Sequence, residues 1–262
     1  MAEMNSSLDE LIEKAADIIL KAGYVMALTG AGMSVESGIP PFRGPGGIWT
    51  QHGEPPLDMY QRFLQNPRKA WEERLNPRGP MAELARALRM AEPNPGHFAL
   101  AELEAMDILK SIITQNIDNL HQEGGSRNVL EIHGNASLLR CIECNLRYQP
   151  EDVSTDEIPP TCPSCKGLLK SDTVFFGEPI PLDILELCES ESEKCDCMIV
   201  AGTSATVYPA AAFPRKLLRN NYPVIEINPY ESELTRHCRI SLKGPSGEVL
   251  PLLVDLIRNK MA

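Results

Sequence analysis

The chain of 262 residues contains no apolar run approaching the roughly 18 residues that a membrane-spanning helix requires. Met1 to Glu10 has neither the basic start nor the apolar core of a secretory signal, so the expectation is a cytoplasmic protein with no membrane partner. Positive charge is also scarce. The 25 Lys+Arg stand against 36 Asp+Glu, and the net charge of −11 opposes phosphate backbones, which argues against nucleic acid as a direct partner. Internal repeats, low-complexity tracts and long linkers are missing too. What is present, 43% hydrophobic and 23% charged residues, is ordinary globular composition, while 22 Pro and 18 Gly promise many loops.

Disulfide chemistry is not needed to explain the eight cysteines. Four fall as Cys141-x2-Cys144-x17-Cys162-x2-Cys165, a spacing that sets two knuckles around one tetrahedral ion. Four thiolates leave no open position for water, so the spacing predicts zinc held for structure and not for chemistry. Cys188, Cys195, Cys197 and Cys238 follow no pattern and read as reduced thiols.

Around that module the chain alternates strands and helices. Ser7-x-x-Glu10 is a capping box opening a helix with Leu8, Leu11, Ile12, Ala15 and Ile19 at helical spacing, and Gly23 closes it. Strands are expected at Tyr24 to Leu28, Leu109 to Ile113, Val129 to Ile132, Asp196 to Ala201 and Val224 to Ile227. Helices are expected at Met81 to Met90, His97 to Met106, Pro181 to Lys194, Val207 to Asn220 and Glu248 to Asn259. Residues 40 to 80, punctuated by eight prolines, read as an irregular, partly helical insertion, and about 135 to 172 as a compact strand-turn insert. The rhythm implies an α/β fold with a doubly wound parallel, Rossmann-like sheet, into which a smaller zinc-ribbon plus helical domain is inserted. The expected boundaries are 1-41, 94-134 and 173-262 for the sheet domain, and 42-93 with 135-172 for the small one.

Every expected strand ends in polar or glycine residues: Gly30 and Ser34, Gln115 to Asp118, His133, Gly202-Thr203-Ser204, and Asn228. Ligands of open α/β sheets bind at those carboxyl ends. Gly30-Ala31-Gly32 lacks the third glycine of the dinucleotide fingerprint, since position 35 is Val35, and this disfavours an ordinary dehydrogenase. Its backbone amides are still suited to a pyrophosphate.

The residues Gly30 to Pro40, Phe42-Arg43, Thr114 to His121, His133-Gly134, the four cysteines, Phe175 to Glu178 and Gly202 to Ser204 occur in the order and spacing of one family. The sequence resembles the sirtuins, the NAD-dependent protein-lysine deacylases, over essentially its whole length. The resemblance implies NAD as co-substrate, bound by Gly30, Ala31, Gly32, Phe42, Arg43, Gln115, Asn116, Ile117, Asp118, Gly202, Thr203, Ser204 and Asn228, with Ser246 near adenine. Asn116, Ile117 and Asp118 would surround the nicotinamide carboxamide. His133 would be the general base, with Asn116 and Asp118 as its catalytic companions. The acyl group would pass from lysine to ADP-ribose, releasing nicotinamide and O-acyl-ADP-ribose. Val174, Phe175, Phe176, Gly177 and Glu178 would pair the backbone of an acyl-lysine protein or peptide by strand addition. So little chain lies outside the resemblance that a monomer is expected.

Two features depart from the pattern. Pro41 precedes Phe42-Arg43 where many deacetylases carry Asp, and Pro45-Gly46-Gly47-Ile48-Trp49 resembles the branch that removes succinyl and malonyl groups. That branch's Tyr-x-x-Arg pair is absent, with Arg74 and Pro77 at its positions, so deacetylation leads and acidic or longer acyl groups are the alternative. ADP-ribosyl transfer to protein is another alternative on the same cofactor. A non-enzymatic zinc-ribbon binding module is a third, and the net charge opposes it.

Overall fold

Val25–Thr29 is buried at all five positions, as a strand covered on both faces must be. The computed structural model describes residues 7–262. Among them, β1 (Val25–Thr29), β2 (Leu109–Thr114), β3 (Val129–Glu131), β7 (Cys197–Ala201), β8 (Val224–Ile227) and β9 (Ile240–Leu242) form one sheet. The smaller sheet contains β4 (Leu139–Cys141), β5 (Arg147–Tyr148) and β6 (Leu169–Ser171). The large sheet has the order β3-β2-β1-β7-β8-β9 and every pairing in it is parallel. Strand order therefore reverses between β1 and β7, which places a crevice outside their carboxyl ends.

Alternation along the strands divides the core in two. Val25, Ala27 and Ile199 pack with Ile12, Ala16, Leu100, Leu253 and Ile257 from the helices Leu8–Lys21, Pro95–Ala105 and Ser246–Met261. Met26, Leu28 and Met198 face Cys188, Phe213 and Leu217 from the helices Leu182–Lys194 and Ala212–Arg219. The sheet is thus wound on both faces, as the alternation of elements predicts.

Several details differ from the sequence reading. The three-residue edge strand β9 carries too short an apolar signal to be read. The segment Ala31–Ser37 after the glycine turn is a 3-10 helix closed by left-handed Gly38. The helix expected from Val207 begins only at Ala212, beyond Pro209. In the proline-punctuated insertion, Pro67 and Pro80 open helices Pro67–Leu75 and Pro80–Met90, where the missing N–H costs nothing. No helix among the described residues is long and apolar enough to cross a membrane.

The antiparallel sheet β5-β4-β6 is inserted after β3. Its small core joins Leu139, Val153 and Leu169 to Phe63 and Trp71 of the helical insertion, and the Trp71 indole donates to Leu169 O at 2.8 Å. Leu84, in the same insertion, packs against Ile39 and Leu120 at the edge of the large sheet.

Candidate active site

The turns after β1 and β7 interlock through their backbones. Gly32 N donates to Gly202 O at 2.8 Å and Gly30 N to Ala201 O at 3.2 Å. A Cβ on Gly32 would lie 2.7 Å from Gly202 Cα, and one on Gly30 would lie 2.7 Å from Thr203 Cβ. Gly202 adopts the left-handed φ of 62° that glycine tolerates best. The two turns are therefore held as one glycine-walled cradle.

Behind it runs a chain of polar contacts. Asn116 donates from Nδ2 to Gly30 O at 3.1 Å and to Ser34 Oγ at 3.0 Å. Ser34 Oγ donates to Asp118 Oδ2 at 2.7 Å, and Asp118 Oδ1 accepts from Leu120 N at 3.0 Å. Both protons of the Asn116 amide are thereby committed, which leaves its Oδ1 to accept from a ligand. Burial raises the Asp118 carboxyl above its ordinary range, against the opposing pull of Ser34 and Leu120. Gln115 Nε2 donates to Thr203 Oγ1 at 2.8 Å, and Asn228 Nδ2 to Thr203 O at 3.0 Å, so the ends of β2, β7 and β8 are also tied. Ser34 is a residue that the sequence reading placed at the strand ends but gave no role toward the cofactor. Its place in the strand-turn segment is a usable signal, but its bond to Asp118 spans 84 positions.

His133 follows β3. Its Nδ1 lies 3.1 Å from Gln115 O, and a carbonyl only accepts, so Nδ1 carries the proton and Nε2 presents its lone pair. Burial lowers its pKa below 6.5, while the Gln115 carbonyl opposes that shift. A neutral imidazole of fixed tautomer is the form a general base needs. His133 O accepts from Val174 N at 2.8 Å, joining His133 to the Phe175–Glu178 segment. That segment is not extended throughout: Glu178 N donates to Phe175 O at 3.0 Å around Gly177 at φ 78°, a tight turn. Phe176 O and Gly177 O accept from Tyr60 N and Gln61 Nε2 of helix Met59–Gln65.

Phe42, half-buried, lies 4.7 Å from the Trp49 ring, which meets Phe176 edge-on at 5.4 Å. Arg43 stacks over Trp49 at 4.7 Å and pairs with Glu54 at 2.8 Å, both exposed. Ile117 O accepts from Ala136 N at 2.8 Å, and Ala31 opens the 3-10 helix of the cradle. Ser204 is exposed and bonded to Thr206, outside the tied strand ends. Ser246, at the start of the closing helix, is buried with a hydroxyl that has no partner among the described residues. The cradle closed to any Cβ, the open Asn116 Oδ1 and the orphaned Ser246 hydroxyl all suit a dinucleotide.

The four cysteines meet as their spacing predicts. Cys141 and Cys165 sulfurs are 3.4 Å apart, Cys144 and Cys162 3.7 Å, and all four lie within 4.8 Å of one another. Tetrahedral zinc with Zn–S near ~2.3 Å requires sulfur separations of ~3.8 Å. The knuckles share a turn, since Asn145 and Lys166, each just past its second cysteine, both take left-handed φ, and Glu143 N and Gly167 N donate to Cys141 and Cys165 sulfurs at 3.4 Å. The set fits a zinc ion.

Strand order and cradle make this an α/β protein of the dinucleotide-binding type, and the tetracysteine ribbon inserted after β3 separates it from ordinary dehydrogenases. The Sir2 family description matches residues 30–209. The chain is 42% identical over 252 residues to NAD-dependent protein deacylase 1 of Archaeoglobus fulgidus, covering 95% of this chain and 99% of that one. It is 40% identical over 256 residues to the NAD-dependent protein deacylase of Pyrococcus abyssi, covering 95% and 98%. A crystal structure of a Sir2 homologue–NAD complex superposes with a TM-score of 0.80 at 42% identity, over 95% of both chains. The chain belongs to the Sir2 family.

Proposed function

We propose that the protein removes acyl groups from lysine side chains of proteins or peptides and transfers them to ADP-ribose, releasing nicotinamide. The observation that carries this reading is His133, held as an Nδ1–H tautomer by Gln115 O beside the Asn116–Ser34–Asp118 chain. NAD, when bound, supplies an activated ribosyl carbon and its nicotinamide leaving group. Asn116 Oδ1 accepts from the carboxamide, and Ser34 and Asp118 fix the amide that does so. Asp118, whose two carboxylate oxygens accept from Ser34 and Leu120 N, lends a second polar group. The glycine cradle excludes side chains from the pyrophosphate, and Thr203, tied to Gln115 and Asn228, holds the cradle's far wall. His133 Nε2 takes up the hydroxyl proton released as the acyl group transfers. Val174 to Glu178 receive the substrate backbone, and the enzyme works as a cytoplasmic monomer.

A second reading of the acyl group has one observation in its favour. Arg74 lies 3.5 Å from Ala136 O, three residues beyond His133, and among the described residues it forms no ion pair. A guanidinium with no ion pair there would grip the carboxylate of a succinyl or malonyl chain.

Mass spectrometry of acetyl- and succinyl-lysine peptides with and without NAD tests both readings. Acetyl loss that requires NAD and falls about 10²- to 10⁴-fold in His133→Ala is the expected result. Reaction of the succinyl peptide alone, abolished in Arg74→Ala, would install the second reading. NAD consumption with ADP-ribose left on protein and no acyl loss would overturn both.

A further inference from the structure

Where the ribbon meets the active site, six ionisable side chains come together, five of them buried or nearly so and the sixth, Arg147, at the surface. Glu131, Asp172 and Glu178 are set against Arg140, Arg147 and Lys170. Arg147 bridges Glu131 at 3.1 Å and Asp172 at 3.0 Å, and Arg140 reaches Asp172 at 3.1 Å. Lys170, at 1% exposure, pairs with Glu178 at 3.1 Å. Three charges of each sign balance, so the cluster is neutral as a whole. Its anions reach the base loop: Glu131 Oε1 and Asp172 Oδ2 accept from Asn135 Nδ2 and Asn135 N, two residues past His133.

Lys170 is the unexpected member. In the register of β4 and β6 it stands directly opposite Arg140, and like charges across a ladder repel. Buried ion pairs are seldom the most stable filling for such a place, since an apolar side chain avoids the desolvation. Burial does pull the Lys170 ammonium down to about 8, with Glu178 opposing the shift. What the ammonium does is specific. Its three protons meet three acceptors: Ser171 O at 2.7 Å, Thr173 O at 2.7 Å and Glu178 Oε2. The same Glu178 Oε2 accepts from Phe175 N at 2.8 Å, and the Phe175 ring lies 4.4 Å from the ammonium. One side chain therefore gathers the start, middle and end of the segment 171 to 178, in which Val174 N is bonded to His133 O.

We propose that Lys170 is a positioning residue for the acyl-lysine substrate, folding residues 171 to 178 around its ammonium so that the segment lies in register with His133. This rests on the reading that Val174 to Glu178 receive the substrate backbone. Lys170 touches neither substrate nor NAD, and it acts through Glu178 and the two carbonyls. Its loss should therefore weaken peptide binding and spare the cofactor.

The test uses the zinc-loaded enzyme and steady-state kinetics with an acetyl-lysine peptide. Lys170→Met should raise the peptide KM about tenfold or more, the scale of losing a charge-assisted hydrogen bond, with kcat and the NAD KM within about twofold. Lys170→Arg should recover most of the loss. Where Lys170→Met fails to fold, Glu178→Gln replaces it, because it keeps the shape and removes the charge that holds the ammonium. A second substrate, with an ester in place of one backbone amide beside the acyl-lysine, separates the proposal from the reading beneath it. A raised ester KM with an unchanged KM in the folded Lys170 or Glu178 variant overturns the role of Lys170 alone. An ester KM equal to that of the amide peptide overturns the pairing reading and Lys170 with it. A parallel rise in peptide and NAD KM also overturns it, since a merely structural defect behaves that way.

Discussion

The crevice of the large sheet and the ribbon beside it bury polar groups of different kinds. At the strand ends the buried polar side chains are mostly neutral: Thr29, Ser34, Asn116 and Thr203 bond to one another's neighbours and to backbone. At the ribbon junction they are ions, Glu131, Arg140, Lys170 and Asp172. The source of order differs as well. The sheet lies between two hydrocarbon layers contributed by five helices, whereas the ribbon buries Leu139, Val153, Leu169 and two of its own cysteines against Phe63 and Trp71. A core that large tolerates strained turns and orphan hydroxyls. One that small needs a metal, and once it has one it can present charge to its neighbours.

The largest effect that would break this comparison is metal removal. Zinc binding to such sites contributes about 10 kcal/mol or more to folding, far beyond what the ribbon's few apolar contacts supply. Chelation, or Cys144→Ser with Cys165→Ser, should unfold residues near 139 to 171 and leave the parallel sheet intact. Limited proteolysis followed by mass mapping reads this directly. Activity should fall with the ribbon, since Arg140, Arg147 and Lys170 leave with it. A chelated enzyme that resists cleavage there would show that the ribbon stands on its own core.

A smaller change tests the sheet's side. Gly32→Ala places a methyl group 2.7 Å from Gly202 Cα, a backbone atom that cannot rotate away. Overpacking of this kind costs about 1–3 kcal/mol. The denaturant midpoint should drop accordingly, and NAD affinity measured by calorimetry should drop further, because the displaced turns are the cradle. Unchanged NAD affinity in a folded Gly32→Ala would remove the cradle from the cofactor site.

How much of this the sequence displayed depends on whether a feature is local. The cysteines were legible because two x2 knuckles prescribe their own geometry, and their sulfurs lie where the spacing says. The strand Val25–Thr29 was legible as a short apolar run, and the glycine turn after it as a break. Less visible was what distant residues impose. Phe175–Glu178 is held in place by a distant helix, whose Tyr60 N and Gln61 Nε2 donate to Phe176 O and Gly177 O. Ala31–Ser37 winds as a 3-10 helix where its first turn is pressed against Gly202. Ser34 joins the site through a partner 84 residues away.

The pair His97 and His121 was equally invisible, and it gives the mildest test. Their rings meet at 4.9 Å beneath β1, where His121 Nε2 lies 2.8 Å from Thr29 Oγ1 and His97 Nδ1 accepts from Asn94 N. His97 Nε2 and His121 Nδ1 have no partner among the described residues. Burial lowers His97 to about 4 and His121 to about 3, with the neighbouring His97 lowering the latter further. Both stay neutral in the fold while an unfolded chain protonates them below 6.5, so the unfolded state binds more protons and stability declines as pH falls through that value. Between pH 6.5 and about 5.5 the two together should remove about 2 kcal/mol. Denaturant midpoints across that interval should fall less in His97→Gln, which keeps an amide beside Asn94 but cannot titrate. An equal fall in wild type and variant would place the acid sensitivity outside this buried pair.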